Sequence, residues 1–149
     1  MDAGPWQPDA YHLPVLSVTV IVARKNEPDY VKGRRNFFKY RDLGVTSASR
    51  GVMRAQVTEG SEGMTRPTGW HYHICDGQFV YMISGWVDLE FAGGKTIRVD
   101  KGDSIYIPGG VPHNEPATSD TLELIEVSVP ADMGTEPCAA PSKSKNPDK

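Results

Sequence analysis

The feature that most constrains this chain is the regular interruption of its apolar runs by turn-forming residues. Asp76-Gly77, Ser84-Gly85, Gly93-Gly94 and Lys101-Gly102-Asp103 punctuate the middle of the sequence at short intervals. Each can carry a tight reversal, and Asp-Gly and Gly-Gly are hairpin signals. The runs between them are short and rich in β-branched and aromatic residues, which favours strands over helices. Residues 86–91 alternate, with Val87, Leu89 and Phe91 on one face and Asp88 and Glu90 on the other. No segment carries a helical period of useful length. The expected fold class is all-β, a sandwich or barrel.

Strands are predicted over residues 15–23, 36–43, 52–57, 71–73, 78–83, 86–91, 96–100, 104–107 and 122–129. Residues 24–35 and 59–68 read as loops. In the 52–57 strand, Val52, Arg54 and Gln56 share one face and Met53, Ala55 and Val57 the other. Residues 1–14, with three prolines, Trp6 and Tyr11, read as an arm; the barrel proper is expected over 15–130. Residues 131–149 are rich in Pro, Ser, Lys and Asp and are expected to be disordered, with Cys138 incidental there.

At 149 residues the chain is expected to be one domain with a real core. A net charge of −3 gives no global basic field for nucleic acid or an anionic membrane. There is no apolar run of the ~20 residues a span needs, and the start lacks the pattern of a signal peptide. Two cysteines, Cys75 and Cys138, make no disulfide framework. The setting expected from these features is cytoplasmic.

Chemistry concentrates in two glycine-punctuated segments. In the first, His71 and His73 stand one residue apart; on a strand both point to the same face, about 7 Å apart at ~3.3 Å per residue. Both imidazoles can then reach one metal at roughly 2.0–2.2 Å. The second segment, from Gly102 to His113, contributes a third of the chain's four histidines. The fourth, His12, reads as a surface residue.

These segments resemble the two motifs of the cupin superfamily. The first family motif is Gly, five residues, His-x-His, three or four residues, Glu, six residues, Gly. Here His71, His73 and Gly85 keep that spacing; Thr65 stands at the leading glycine and Gln78 at the glutamate. The second motif is Gly, five residues, Pro, one residue, Gly, two residues, His, three residues, Asn. Gly102, Pro108, Gly110 and His113 fit; Ala117 stands at the asparagine, with Asn114 nearby. The resemblance implies a double-stranded β-helix, or jelly-roll barrel, with one divalent transition metal inside. His71, His73 and His113 would be ligands, and Gln78 would stand where the carboxylate ligand usually does. Gln78 as direct ligand and Gln78 as a hydrogen-bonding neighbour of a histidine both stay open. Iron is the first expectation for the metal, with Mn, Ni, Cu and Zn also suited to imidazole.

A glutamine is uncharged and cannot accept a substrate proton, so a divalent ion would keep its full charge as a Lewis acid. Three-histidine centres of this kind resemble those of thiol dioxygenases and diketone-cleaving dioxygenases. The leading functional expectation is a dioxygenase acting on a small enolisable or phenol-derived substrate. The alternatives are a redox-neutral isomerase, lyase or decarboxylase, and a non-enzymatic ligand-binding or sensory protein. Glu126 is a candidate base if its face turns inward, and otherwise a solvated carboxylate. Tyr106 is a candidate phenol donor if inward, and Arg54 a candidate holder of a substrate carboxylate or phosphate. Val80 and Met82 share a face with Gln78 and are expected to line an apolar pocket. Cys75 reads as a small buried thiol. A homodimer is expected, as in related small cupins, through the arm of residues 1–14 and the strand after it packing across sheets, with an uncovered edge strand inviting the same pairing.

Overall fold

A computed structural model describes residues 19–142. Its strands are β1 (Asp29–Val31), β2 (Phe38–Asp42), β3 (Arg54–Gly60), β4 (His71–Ile74), β5 (Gly77–Ser84) and β6 (Trp86–Phe91). They continue with β7 (Lys95–Asp100), β8 (Ser104–Pro108), β9 (His113–Thr118), β10 (Leu122–Val129) and β11 (Gly134–Pro137). One helical turn, α1 (Val45–Ala48), interrupts them. Two antiparallel sheets form, ordered β1-β2-β3-β10-β5-β8 and β11-β4-β9-β6-β7. This is the jelly-roll arrangement of a double-stranded β-helix, as expected.

The period-two pattern decides what each sheet buries. From β10, Leu122, Leu124 and Glu126 turn into the space between the sheets; from β5, Gln78, Val80 and Met82 do the same. Val87 and Leu89 of β6 and Val99 of β7 close the core from the other sheet. The corners depend on glycine at two places in particular. Gly85 has φ +72°, and a Cβ there would run into Ser119 and the Thr121 carbonyl. A Cβ on Gly109 would overlap the backbone of Cys75, so the loop before His113 packs directly onto the hairpin after His73.

Five sequence expectations need correction. The strand over 15–23 is absent in its described part: residues 19–23 form no ladder, and Val20 is 86% exposed. Residues 15–18 lie outside the described residues, as do the 1–14 arm and His12. The loop over 24–35 contains β1, whose Tyr30 pairs with Arg41 of β2. The 52–57 strand starts at Arg54 and runs to Gly60, leaving Val52 exposed at a turn. Gln56 and Thr58 turn inward, while Ala55 and Val57 are buried on the other face. β9 was not predicted, because Pro116 lies inside it and proline demotes a strand signal. Finally, the stretch from Ala131 is ordered over its described part: β11 pairs with β4, setting Thr135 opposite His73 and Pro137 opposite His71. The barrel therefore runs past residue 130.

Candidate metal centre

The three histidines reach one point from two adjacent strands. His71 of β4 lies directly opposite His113 of β9, and His73 follows on the same face. All three are buried, with one ligand nitrogen from each lying within 4.8 Å of the others. Their outer nitrogens are already engaged. His71 Nδ1 donates to the Gly69 carbonyl at 2.7 Å, His113 Nδ1 to the Val111 carbonyl at 2.9 Å, and His73 Nδ1 meets Thr135 Oγ1 at 3.0 Å. The two carbonyl bonds fix the tautomer of His71 and His113 and leave their Nε2 atoms as lone-pair donors, while the Thr135 hydroxyl orients the His73 ring.

His113 Nε2 has no hydrogen-bond partner although its residue is fully buried. An orphaned, desolvated imidazole nitrogen carries a cost of about 1–3 kcal/mol that a bound ion would offset. Burial also keeps His71 and His73 neutral. The His73 pKa is lowered to about 3, by desolvation first and then by the nearby Arg34 guanidinium and the other two histidines. His71 is lowered too, mainly by burial, with Glu115 opposing. Neutral imidazoles with paired Nδ1 groups are what a transition metal requires. The donor set fits a divalent ion.

Gln78 is buried and lines the same chamber as His71. Glu126 turns inward and is 5% exposed; the solvated alternative does not hold. It is held by Arg34 Nη2 at 3.4 Å, Gln56 Nε2 at 3.4 Å and Arg54 Nη2 at 3.6 Å. Arg54 therefore pairs with Glu126 and faces a side hollow with Gln56 and Asp42, not the chamber. Tyr106 is corrected to the outer surface: it is 61% exposed, covers Gly77, and donates to the Asp76 carbonyl at 3.3 Å. The period-two rule explains this, since inward Ile105 and Ile107 flank it. Val80 lines the chamber as expected, and Met82 is fully buried in the adjoining core. Cys75 and Cys138 are both free thiols, and Asn114 donates to Glu90 at 2.7 Å.

Two site residues were missed. Arg34, from the segment before β2, places Nη1 3.2 Å from His73 Nδ1 and 3.4 Å from Nε2. A group equidistant from both ring nitrogens lies over the ring face, so His73 Nε2 stays open in its own plane. The same Nη1 donates to Thr135 Oγ1 at 3.0 Å, so Arg34 joins His73, Thr135 and Glu126. Glu115 is the second: its Oε2 lies 3.8 Å from His71 Nε2 and accepts a hydrogen bond from Thr68 Oγ1. The spacing His113-x-Glu115 signals a shared face, by the same rule that pairs His71 with His73. Nothing in the sequence signals Arg34.

The chamber is narrow, with about 80 Å³ of free space, and its walls are largely apolar, including Phe38, Leu89, Leu122 and Leu124. Thr58 and Thr118 line it with hydroxyls that have no partner.

Comparison with known proteins agrees with this architecture. The Cupin domain family, Cupin_2, matches residues 59–129, the stretch that carries all three histidines. The chain contains a cupin domain over these residues. No curated protein matches the sequence of this cupin at a significant level. Among solved structures it is similar to the polyketide cyclase RemF from Streptomyces resistomycificus, at 19% identity and TM-score 0.66, covering 84% of this chain and 89% of that one. It is also similar to the salicylate 1,2-dioxygenase from Pseudaminobacter salicylatoxidans, at 17% identity and TM-score 0.53, over 68% of this chain and 30% of that one. A variant of the oxalate decarboxylase OxdC from Bacillus subtilis matches at 17% identity and TM-score 0.59, over 80% and 33%. At these identities the likeness shows the fold, and the fold hosts cyclase, dioxygenase and decarboxylase alike.

Proposed function

We propose that this cupin is a mononuclear metal-dependent enzyme that enolises a small carbonyl compound in a redox-neutral reaction. His71, His73 and His113 would hold one divalent ion, with Gln78 beside them; iron, Mn, Ni, Cu and Zn all suit the donor set. When bound, the ion would supply Lewis-acid polarisation of a substrate oxygen. The observation that carries the reading is Glu126, a buried carboxylate in the same chamber, joined to His73 through one guanidinium. Glu126 takes a proton from the carbon next to the carbonyl and returns it elsewhere on the substrate, the role Gln78 cannot fill. Arg34 steadies the oxyanion charge that develops, and the apolar walls keep bulk water from quenching it.

The dioxygenase expected from the sequence is the second reading, because a substrate activated in this way is also open to attack by oxygen. A guanidinium lying over His73 favours the first, since it fills the approach with an anion-stabilising group. The assay is to give metal-loaded protein a panel of 1,3-diketones and keto acids in heavy water. Carbon-bound deuterium is followed by NMR, and oxygen with an electrode. Exchange without oxygen uptake is expected, and Glu126→Gln should slow it roughly 10²–10⁴-fold with metal retained. Stoichiometric oxygen uptake would transfer the assignment to the dioxygenase. Binding without turnover would leave a sensory cupin.

We also propose assembly as a homodimer. Phe79, Tyr81 and Ile83 are exposed on β5, beside Tyr106 of the edge strand β8, and such a face with an open edge invites a second copy. A monomer by sedimentation would end that idea. The free thiols suit the reducing cytoplasm.

A further inference from the structure

Two hollows meet at Arg34, Arg35 and Thr68. The inner one is the metal chamber, whose roughly 80 Å³ admits only a few water-sized groups. The outer one is larger, about 530 Å³, and lies between the segment before β2 that carries Arg34 and the loop before β4. Its wall includes Arg34, Arg35, Arg66, Asn36 and Thr68, and no carboxylate of the described residues lines it.

The charges there are poorly compensated. Arg35 makes a 3.4 Å bond to the Thr68 carbonyl, a neutral partner. Arg66 is exposed. Arg34 shares Glu126 with Arg54 and keeps 34% of its side chain accessible. The nearest acid, Glu115, faces the inner chamber and is held by Thr68. Three guanidiniums around one hollow, on a chain of net charge −3, form a local field opposite in sign to the whole. Guanidinium is also the side chain best matched to a carboxylate or phosphate, through paired N–H bonds.

We infer that the outer hollow binds an anionic group, carboxylate or phosphate, carried by the same molecule whose reacting end enters the metal chamber. The inference rests on the proposed function for the identity of that reacting end. Its own basis is size and charge: the chamber holds little beyond a carbonyl and its neighbours, so the rest of the substrate lies among the arginines. The substrate class is then a keto acid or keto phosphate whose anion stands a few bonds from the carbonyl.

The test uses 4-oxopentanoate, its methyl ester and hydroxyacetone phosphate as probes, titrated by calorimetry into the full chain. Both chelator-treated and metal-loaded protein are measured. The two anions should bind about tenfold more tightly than the ester, and whichever binds better names the anion. Arg66→Gln should weaken the anions about five- to tenfold, leave the ester unchanged, and reduce the salt dependence. The anion preference should persist without metal. Equal binding of acid and ester, or no effect of Arg66→Gln on any probe, would overturn the inference. Anion binding seen only with metal and indifferent to Arg66 would also overturn it, while leaving the enolisation reading standing. Arg66-dependent binding without deuterium exchange would support the hollow and sink the reaction instead.

Discussion

Protonation of His73 should control the stability of the metal-free protein between neutral and mildly acid pH. Its folded pKa is about 3, well below the ordinary value of 6.5, because the ring is desolvated and lies beneath Arg34. In the window between those values the unfolded chain binds the extra proton, so stability rises with pH there and falls on acidification. The contribution is fully present above pH about 6.5 and declines as pH drops toward 3. At about 1.4 kcal/mol per pH unit, lowering the pH from about 7 to about 5 should remove about 2 kcal/mol through His73 alone. His71 is shifted in the same direction by burial and adds to the slope. The assay is urea unfolding with chelator present, at both pH values, for wild type and His73→Gln. The variant should lose about 2 kcal/mol less than wild type over that interval, whatever its absolute stability. Parallel losses in the two proteins would refute a buried neutral His73 and the donor state argued from it.

Replacing Gln78 by Glu should add an anionic ligand and tighten divalent metal binding at least tenfold if the side chain touches the ion; unchanged affinity by competition with a chromophoric chelator places it outside the coordination sphere. Thr135→Val removes the oxygen that orients His73 Nδ1 and should weaken metal affinity about 10–100-fold with the barrel intact by circular dichroism. Thr58→Val replaces a buried hydroxyl without a partner and should stabilise the free protein by about 1 kcal/mol in urea. A loss of stability would mean that an ordered water already satisfies that oxygen.

Much of the candidate metal centre was legible because its signal is local. His71 and His73 share a face whatever the sheet around them, and Asp76-Gly77 fixes where their strand turns back. Val87, Leu89 and Phe91 likewise declared their strand by alternation alone. What stayed hidden depends on partners distant in the chain. β11 is Gly-Thr-Glu-Pro, with no strand propensity to read; it is ordered because β4 meets β9 only at His71 and His113 and needs a partner for its other edge. Arg34 lies in a charged stretch among turn residues, and its role appears only where the barrel brings His73 against it, 39 positions away. Residues 15–23 show the reverse failure: β-branched side chains made a strand signal, but the described part, 19–23, has no neighbouring strand to complete it.

The bond between Arg34 and Thr135 joins positions 101 residues apart, and it does so beside a histidine of the candidate metal centre. Arg34 precedes nearly the whole barrel and Thr135 follows it, so the clasp forms only when both ends of the barrel have come home. Arg34 lies outside any strand and its side chain is partly accessible, which places this clasp among the first contacts to open in local fluctuations. Occupancy of the histidines would resist that opening, since His73 is held from both sides of the clasp. The ends of the barrel would then report on the metal: loading it should slow amide exchange at β11 and around Arg34 far more than in β5 or β10. A cell's proteases, which sample such openings, would clear the empty protein and spare the filled one.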